Sequence, residues 1–393
     1  MGWPRVVIAG GSIGGLTTAA LLRDLGCRVD VYERSPSPLE DRGAGIVVLP
    51  ITERYFRERA EEDERVSLEL TYWTYVDREG RILSADPDHY RFSGWNTIYR
   101  ALLDAFGTEH YHLGREVVGF EEDQDGVTAV LADGERVGGD LLVFADGFGS
   151  TGRSILMPEV VPEYAGYVAW RGTTPENSLN PATRRQLADA MVYQVLDAGH
   201  ILVYAIPDHF GRTSPGHRVI NSVWYRNYPT GGPFEDLMVD RDGRRRAATV
   251  PPGGIRPEPM REMQTTARRV LAPILLEVVM GCDQPLIQAI FDLASPRMAF
   301  GRICLIGDAA ATIRPHLAAG QAKACADAWA LRDALRSSGG EVRSALAKWE
   351  PQQLALAHDA RNRSRAMGTA SQFDGTMIPG DPAWKFGLWE PGN

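Results

Sequence analysis

The stretch VVIAGGSIGGLTTAALLRDLGCRVDVYERS, from Val6 to Ser35, admits few folds. Arg5–Ala9 is a short run rich in Val and Ile, which predicts a strand buried on both faces. Glycines follow at positions 10, 11, 14 and 15. From Leu16 to Leu25 the spacing turns helical, with Leu16, Ala19, Ala20, Leu21 and Leu22 on the inward side. Gly26 is placed to end that helix in the left-handed conformation. Arg28–Tyr32 reads as a second strand, closed by Glu33. A strand, a glycine turn, a helix and a strand in this order predict a βαβ unit, hence a parallel sheet with helices on it.

The turn fits a dinucleotide fingerprint with one change. Gly10, Ser12 and Gly15 take the G-x-G-x-x-G positions, with serine for the middle glycine. Serine is small enough for close approach, and its hydroxyl can itself donate to a phosphate. Glu33 stands where an acid accepts from a ribose hydroxyl. The helix starting near Ile13 points its free N–H groups at a pyrophosphate. The acid favours NAD or FAD over NADP and does not separate the first two.

Two further turns join an acid to the end of a strand. DLLVFADGFGSTGRSIL contains a strand, Leu141–Ala145, that ends in Asp146-Gly147. GRICLIGDAAATIRPHLAAGQAKACADAWAL contains a strand, Ile303–Ile306, then Gly307-Asp308 and a loop with Arg314, Pro315 and His316. Ala318-Ala319-Gly320 then opens a helix that runs through Asp327 to about Leu335. Three such turns in this order, spread over nearly the whole chain, resemble the single-component FAD-dependent aromatic hydroxylases of the para-hydroxybenzoate hydroxylase family. The resemblance implies an α/β fold: a Rossmann-like FAD-binding domain interrupted by an antiparallel β-sheet substrate domain. It implies FAD as cofactor and NADH or NADPH as co-substrate. It also implies oxygen transfer from O2, activated at the flavin C4a carbon, to a small electron-rich aromatic or N-heteroaromatic ring. By the same resemblance Gly10, Ser12, Ile13, Gly15, Glu33 and Arg34 hold the ADP half. Arg42 and Arg100 match family arginines near the cofactor, and Val117 touches the adenine. Asp146 and Asp308 take the second and third motif roles, with Ala319 and Gly320 at the flavin. YAGYVAWRG, IRPHLAAG and PGDPAWKFGL are similar to the subgroup acting on dihydroxypyridine rings. Two departures stand out: Phe144 replaces a glycine before ADG, and AGQA (Ala319–Ala322) replaces the usual G-x-G.

The middle of the chain carries no cradle. Ala190–Leu196, His200–Pro207 and His217–Tyr228 read as strands of an antiparallel sheet, joined by Leu70–Pro87 as a hairpin. Ala267–Val279 reads as one helix. The expected FAD-binding unit is 1–70, 98–163 and 285–343; the substrate unit is 71–97 and 164–284. A helix and cover segment then occupy 344–393. An attacking ring needs a base or strong acceptor near its hydroxyl. His316 is the candidate, with Pro315 beside it, and an ordinary histidine there titrates near neutrality. Tyr204 is the other catalytic candidate. Tyr204, Trp224 and Tyr225 are the candidate substrate-binding aromatics, although adjacent Trp224 and Tyr225 must face opposite sides of a strand. Trp170 and Arg171 are assigned to the structure of the sheet.

A chain of 393 residues suggests about two domains. Its net charge of −9 argues against a nucleic-acid partner, which wants a basic face. The basic run RDGRRR reads as a solvated loop. No apolar run approaches the ~18 residues of a membrane span, and the first residues make a poor signal peptide. Cys27, Cys282, Cys304 and Cys325 are scattered, as reduced thiols of a cytoplasmic protein are. No metal-ligand cluster is visible. The oligomeric state, a homodimer included, is left open. So are two rival functions: a flavin dehydrogenase or reductase on the same fold, and a flavin-bound protein without turnover.

Overall fold

The chain is described here by a computed structural model covering residues 2–40, 44–59 and 67–389. Val6, Val7, Ile8 and Ala9 are all buried, and Arg5–Ala9 accordingly runs through the middle of a six-stranded sheet. The strand order is Ala299–Phe300, Ile303–Leu305, Leu141–Phe144, Arg5–Ala9, Arg28–Glu33, Tyr111–Leu113. Every neighbouring pair is parallel except the first, an antiparallel edge. The three strands that feed the glycine-acid turns are therefore adjacent and point the same way. Their turns gather at the carboxyl ends of the sheet, where open α/β sheets bind ligands. The helices Ile13–Leu25 and Gly320–Ser337 pack on each other behind these turns.

A second, larger sheet makes the other half. Its order is Thr249–Val250, Leu286–Ala294, Glu163–Pro175, Val219–Asn227, Gly199–Ile206, Ala190–Leu196, Leu68–Val76, Ile82–Gly94, Gly45–Val48. All pairs are antiparallel except Ala190–Leu196 with Leu68–Val76. Two of these strands differ from the expected boundaries. Gly45–Val48 and Leu286–Ala294 fall within the ranges expected for the FAD-binding unit, yet both pair in the large sheet. Each is next in sequence to a strand of the six-stranded sheet, Arg28–Glu33 before the first and Ala299–Phe300 after the second, so the chain changes sheets at these two places. The expected helix Ala267–Val279 is also two helices, Pro257–Val270 and Pro273–Met280. Leu271 and Ala272 are extended between them, because proline drives the residue before it out of the helical region.

The helix Val342–Thr369 follows, and it ends in a π turn, Ala370–Asp374. The chain then returns as a strap over the large sheet. There the Gly387 N–H donates to the Leu317 carbonyl (3.1 Å) and Phe386 packs on Trp73, ring centroids 4.5 Å apart. Among the described residues no helix is long and apolar enough to cross a membrane. No group of three or more His, Cys, Asp or Glu there is placed to hold a metal ion. The four cysteines are free.

Candidate active site

Gly10 ends its strand with φ +102°, a conformation that favours glycine. A Cβ on Gly10 would lie 2.6 Å from the Ala145 carbonyl carbon, so the first and second turns meet there without room for a side chain. A Cβ on Gly15 would strike the Gly10 carbonyl oxygen. Ser12 caps the Ile13–Leu25 helix by its backbone alone, which leaves its hydroxyl uncommitted. Glu33 is buried, and its two carboxylate oxygens accept from the Gly11 N–H (2.9 Å) and the Ser35 N–H (2.8 Å). A carboxylate has about four acceptor sites, so capacity for a diol remains. Gly10, Ser12, Glu33, Arg34, Val117 and Asp146 line one chamber of ≈220 Å³ here.

That chamber continues into two others. Ser12, Trp95, Ala145 and Gly147 border both the first and a second of ≈430 Å³, which Ile13 also lines. Arg171, Asp308, Gly320 and Gln321 border both the second and a third of ≈320 Å³. The result is a track from Glu33 across the three turns to a cavity under the large sheet. In the second turn, Asp146 accepts from the Thr151 N–H through Oδ2 (2.7 Å), while its buried Oδ1 has no partner. Burial raises this carboxyl. Arg153 ties the second turn to the third, donating to the Phe148 carbonyl (2.6 Å) and the Ala309 carbonyl (3.0 Å). Asp308 is exposed to the track, and the protein packed around its turn lifts its carboxyl to about 6 against the opposing pull of Lys323 and Arg153. Behind it a fully buried ion pair, Lys323 Nζ to Asp327 Oδ2 (2.7 Å), holds the turn. The same Asp327 oxygen accepts from the Gly307 N–H (2.8 Å). The Gly320–Ser337 helix starts at Ala319 with no side-chain cap, and the space beside Gly320 is open. Its free N–H groups and dipole favour negative charge at that point.

Tyr193, His200, Tyr204, Tyr225, His316 and Phe386 wall the third cavity, with Arg171 and Gln288 as polar lining. Arg171 donates to Gln288 Oε1 (3.0 Å) and to the Gly45 carbonyl (3.0 Å). His316 Nε2 pairs with the Tyr167 hydroxyl at 2.7 Å.

Comparison with known proteins agrees with this geometry. Residues 4–176 match the family described as FAD binding domain, and residues 164–292 match FAD binding domain-like. The 2,6-dihydroxypyridine 3-monooxygenase of Paenarthrobacter nicotinovorans is 36% identical over 385 residues, 98% of this chain and 96% of that protein. This chain belongs to the FAD-dependent monooxygenases. A 6-hydroxynicotinate 3-monooxygenase from Bordetella bronchiseptica is 27% identical, covering 98% of this chain and 95% of its own. The solved 2,6-dihydroxypyridine-3-hydroxylase from Arthrobacter nicotinovorans superposes with a TM-score of 0.93 at 35% identity, over 99% of this chain and 98% of that one. The monooxygenase has a track that fits its cofactor. The glycine turn admits a close approach, the orphaned Asp146 Oδ1 wants a donor, and the space at Gly320 is open.

Several expected residues fall elsewhere in the monooxygenase. Trp224 does not line the cavity. It sits on the opposite face of its strand from Tyr225, with the Arg226 guanidinium 4.9 Å from its ring. Arg100 is on the helix Trp95–Phe106, but its guanidinium binds Glu40 (3.0 Å) and the His209 carbonyl (2.9 Å) and borders none of the three chambers. Arg42 lies outside the described residues. Arg171, assigned from sequence to the sheet's structure, faces the track instead. Pro315, Ala319, Tyr204 and Tyr225 do line the third cavity. His316 lines it too, but not as a group that titrates near neutrality. Burial, then the Arg314 charge, push its pKa down to about 3, so the ring is neutral. A base so weak, with Nε2 already paired, does not suit the role expected of it. Sequence reasoning missed His200, Arg153 and Phe386. Arg153 carries a signal, since it stands in the first turn of the helix Thr151–Leu156 that follows the second acid; His200 and Phe386 come from segments whose place is set by long-range contacts alone.

Proposed function

We propose that this monooxygenase hydroxylates a small, electron-rich hydroxylated aromatic or N-heteroaromatic ring, with a dihydroxypyridine as the named candidate. NADH or NADPH is the reductant and O2 the oxygen source. The observation that carries the reading is the third cavity: a compact aromatic chamber at the far end of the cofactor track, with a few polar groups converging on it. FAD, when bound, supplies the redox centre that takes two electrons and activates O2. Gly10, Ser12, Ile13, Gly15, Glu33, Arg34 and Val117 would hold its ADP half. Asp146 and Asp308 would accept from its hydroxyls, and Ala319 and Gly320 would face its ring. The helix N-terminus at Gly320 would stabilise negative charge on the reduced ring. Tyr204 and Tyr225 orient the substrate, and Pro315, His316 and Phe386 exclude water.

A protein with one cradle has no separate nicotinamide domain, so the reductant must visit the flavin briefly. Reductant is then wasted unless substrate controls the visit. We expect 2,6-dihydroxypyridine to perturb the flavin absorbance. It should also speed anaerobic reduction by NADH or NADPH at least about tenfold, or ~1.4 kcal/mol of barrier. Stopped-flow absorbance with and without the ring measures both. No spectral change and equal rates across a panel of hydroxypyridines and phenols would overturn the substrate class.

A further inference from the structure

The chain Asp292–Arg314–Tyr167–His316 behind the third cavity has a definite polarity. Asp292 and Arg314 are both buried, and Arg314 donates to the carboxylate through Nε (3.1 and 3.0 Å) and Nη2 (2.7 Å). Arg365 approaches the same carboxylate at 3.6 Å. The remaining Arg314 nitrogen, Nη1, is buried without a hydrogen-bond partner among the described residues, and the guanidinium carbon lies 5.6 Å from the Tyr167 ring centroid. Gly368 in the long C-terminal helix shows how tightly these groups converge. A Cβ there would lie 2.6 Å from Tyr167 Oη, 3.0 Å from Arg314 Nη1 and 3.0 Å from His316 Cδ2. A glycine in a helix is unfavourable by about 1 kcal/mol against alanine; here the network fills the space an alanine would need.

Arginine only donates and is always charged. A cation beside the Tyr167 oxygen turns the oxygen's lone pairs toward itself and its hydrogen away. The hydrogen then points at His316 Nε2, 2.7 Å off. A neutral imidazole that accepts at Nε2 carries its hydrogen on Nδ1. Nδ1 is buried and has no partner among the described residues. His200 and Tyr225 face the His316 ring as aromatic neighbours, with centroids at 5.2 and 4.8 Å.

We propose that Asp292, Arg314 and Tyr167 are positioning residues that lock His316 as the Nδ1–H tautomer. Its one uncommitted polar atom is then a hydrogen-bond donor for the substrate. Resting on the reading that a hydroxylated ring enters the cavity, this makes the site select a ring that presents an acceptor, as an oxyanion or a ring carbonyl. It also removes His316 from the role of base.

The test uses the FAD-loaded protein labelled with ¹⁵N-histidine at neutral pH, without any ring, and reads the His316 nitrogens by NMR. His316→Gln identifies the resonances. The expected result is a pyrrole-type Nδ1 and a pyridine-type Nε2 in the wild type, becoming mixed or reversed in Tyr167→Phe. That variant should bind 2,6-dihydroxypyridine roughly fivefold more weakly, the scale of one neutral hydrogen bond, with FAD affinity unchanged. An Nε2–H tautomer or a protonated ring in the wild type would overturn the proposal, and that reading stands even if Tyr167→Phe does not fold. An unchanged tautomer in Tyr167→Phe would overturn the part given to Tyr167. Failure of 2,6-dihydroxypyridine to bind the wild type would count against the substrate reading instead, because the tautomer measurement needs no ring.

Discussion

Gly10→Ala purifies without FAD. At φ +102° an alanine is strained whatever surrounds it. Its methyl would also press on the Ala145 carbonyl group, which is backbone and cannot rotate aside. Relief requires the first and second turns to separate, and these two turns bound the first chamber of the track. The expected loss of FAD affinity is at least about a hundredfold, or ~2.8 kcal/mol. The flavin absorbance of the purified protein and a fluorescence titration of the apoprotein measure it, with circular dichroism to show that the sheets persist. Stoichiometric FAD at wild-type affinity would mean that the glycine turn is not the cradle.

Asp308→Ala is expected to weaken FAD binding by roughly 10- to 100-fold, since a hydrogen bond to a charged group contributes about 1.5–3 kcal/mol. The same carboxyl predicts a pH dependence. Partial loss of water around it raises its pKa to about 6 in the free protein, and only the ionised form accepts from a hydroxyl at both oxygens. A ligand that needs the ionised form binds best above that pH. FAD affinity should therefore be level above about pH 7 and fall as the pH drops through 6. Asp308→Asn should be weaker throughout and flat across this window. A wild-type affinity that holds steady from pH 7 to 5 would remove Asp308 from cofactor binding.

The Arg5–Glu33 unit was legible because everything that shapes it is local: an apolar run, a glycine turn, a helical period and a terminating glycine. The observed helix, Ile13–Leu25, closes at Gly26 with φ +105°, as its sequence suggests. What was not legible depends on pairing at long range. Leu286–Ala294 is a mostly apolar run that could join either sheet, and only its register against Glu163–Pro175, with Trp170 opposite Ile287, puts it in the large sheet. Strand alternation says that Trp224 and Tyr225 face apart and cannot say which faces the cavity. That follows from the register of Val219–Asn227 between its two neighbours. His316 stood out by its loop, but its neutrality comes first from burial under strand and helix, which its local sequence does not contain, and only then from Arg314 two residues before it. Phe386 reaches the cavity only because the C-terminal strap folds back onto the flavin loop.

The most direct test of the account is the source of the oxygen atom. The FAD-loaded protein is turned over with 2,6-dihydroxypyridine and NADH or NADPH under ¹⁸O₂, and the ring product is weighed by mass spectrometry. Monooxygenation predicts one ¹⁸O atom in each product molecule, with none acquired when the label is in water. A ring product free of ¹⁸O, formed while flavin is reduced, would contradict hydroxylation and favour a dehydrogenase on this fold.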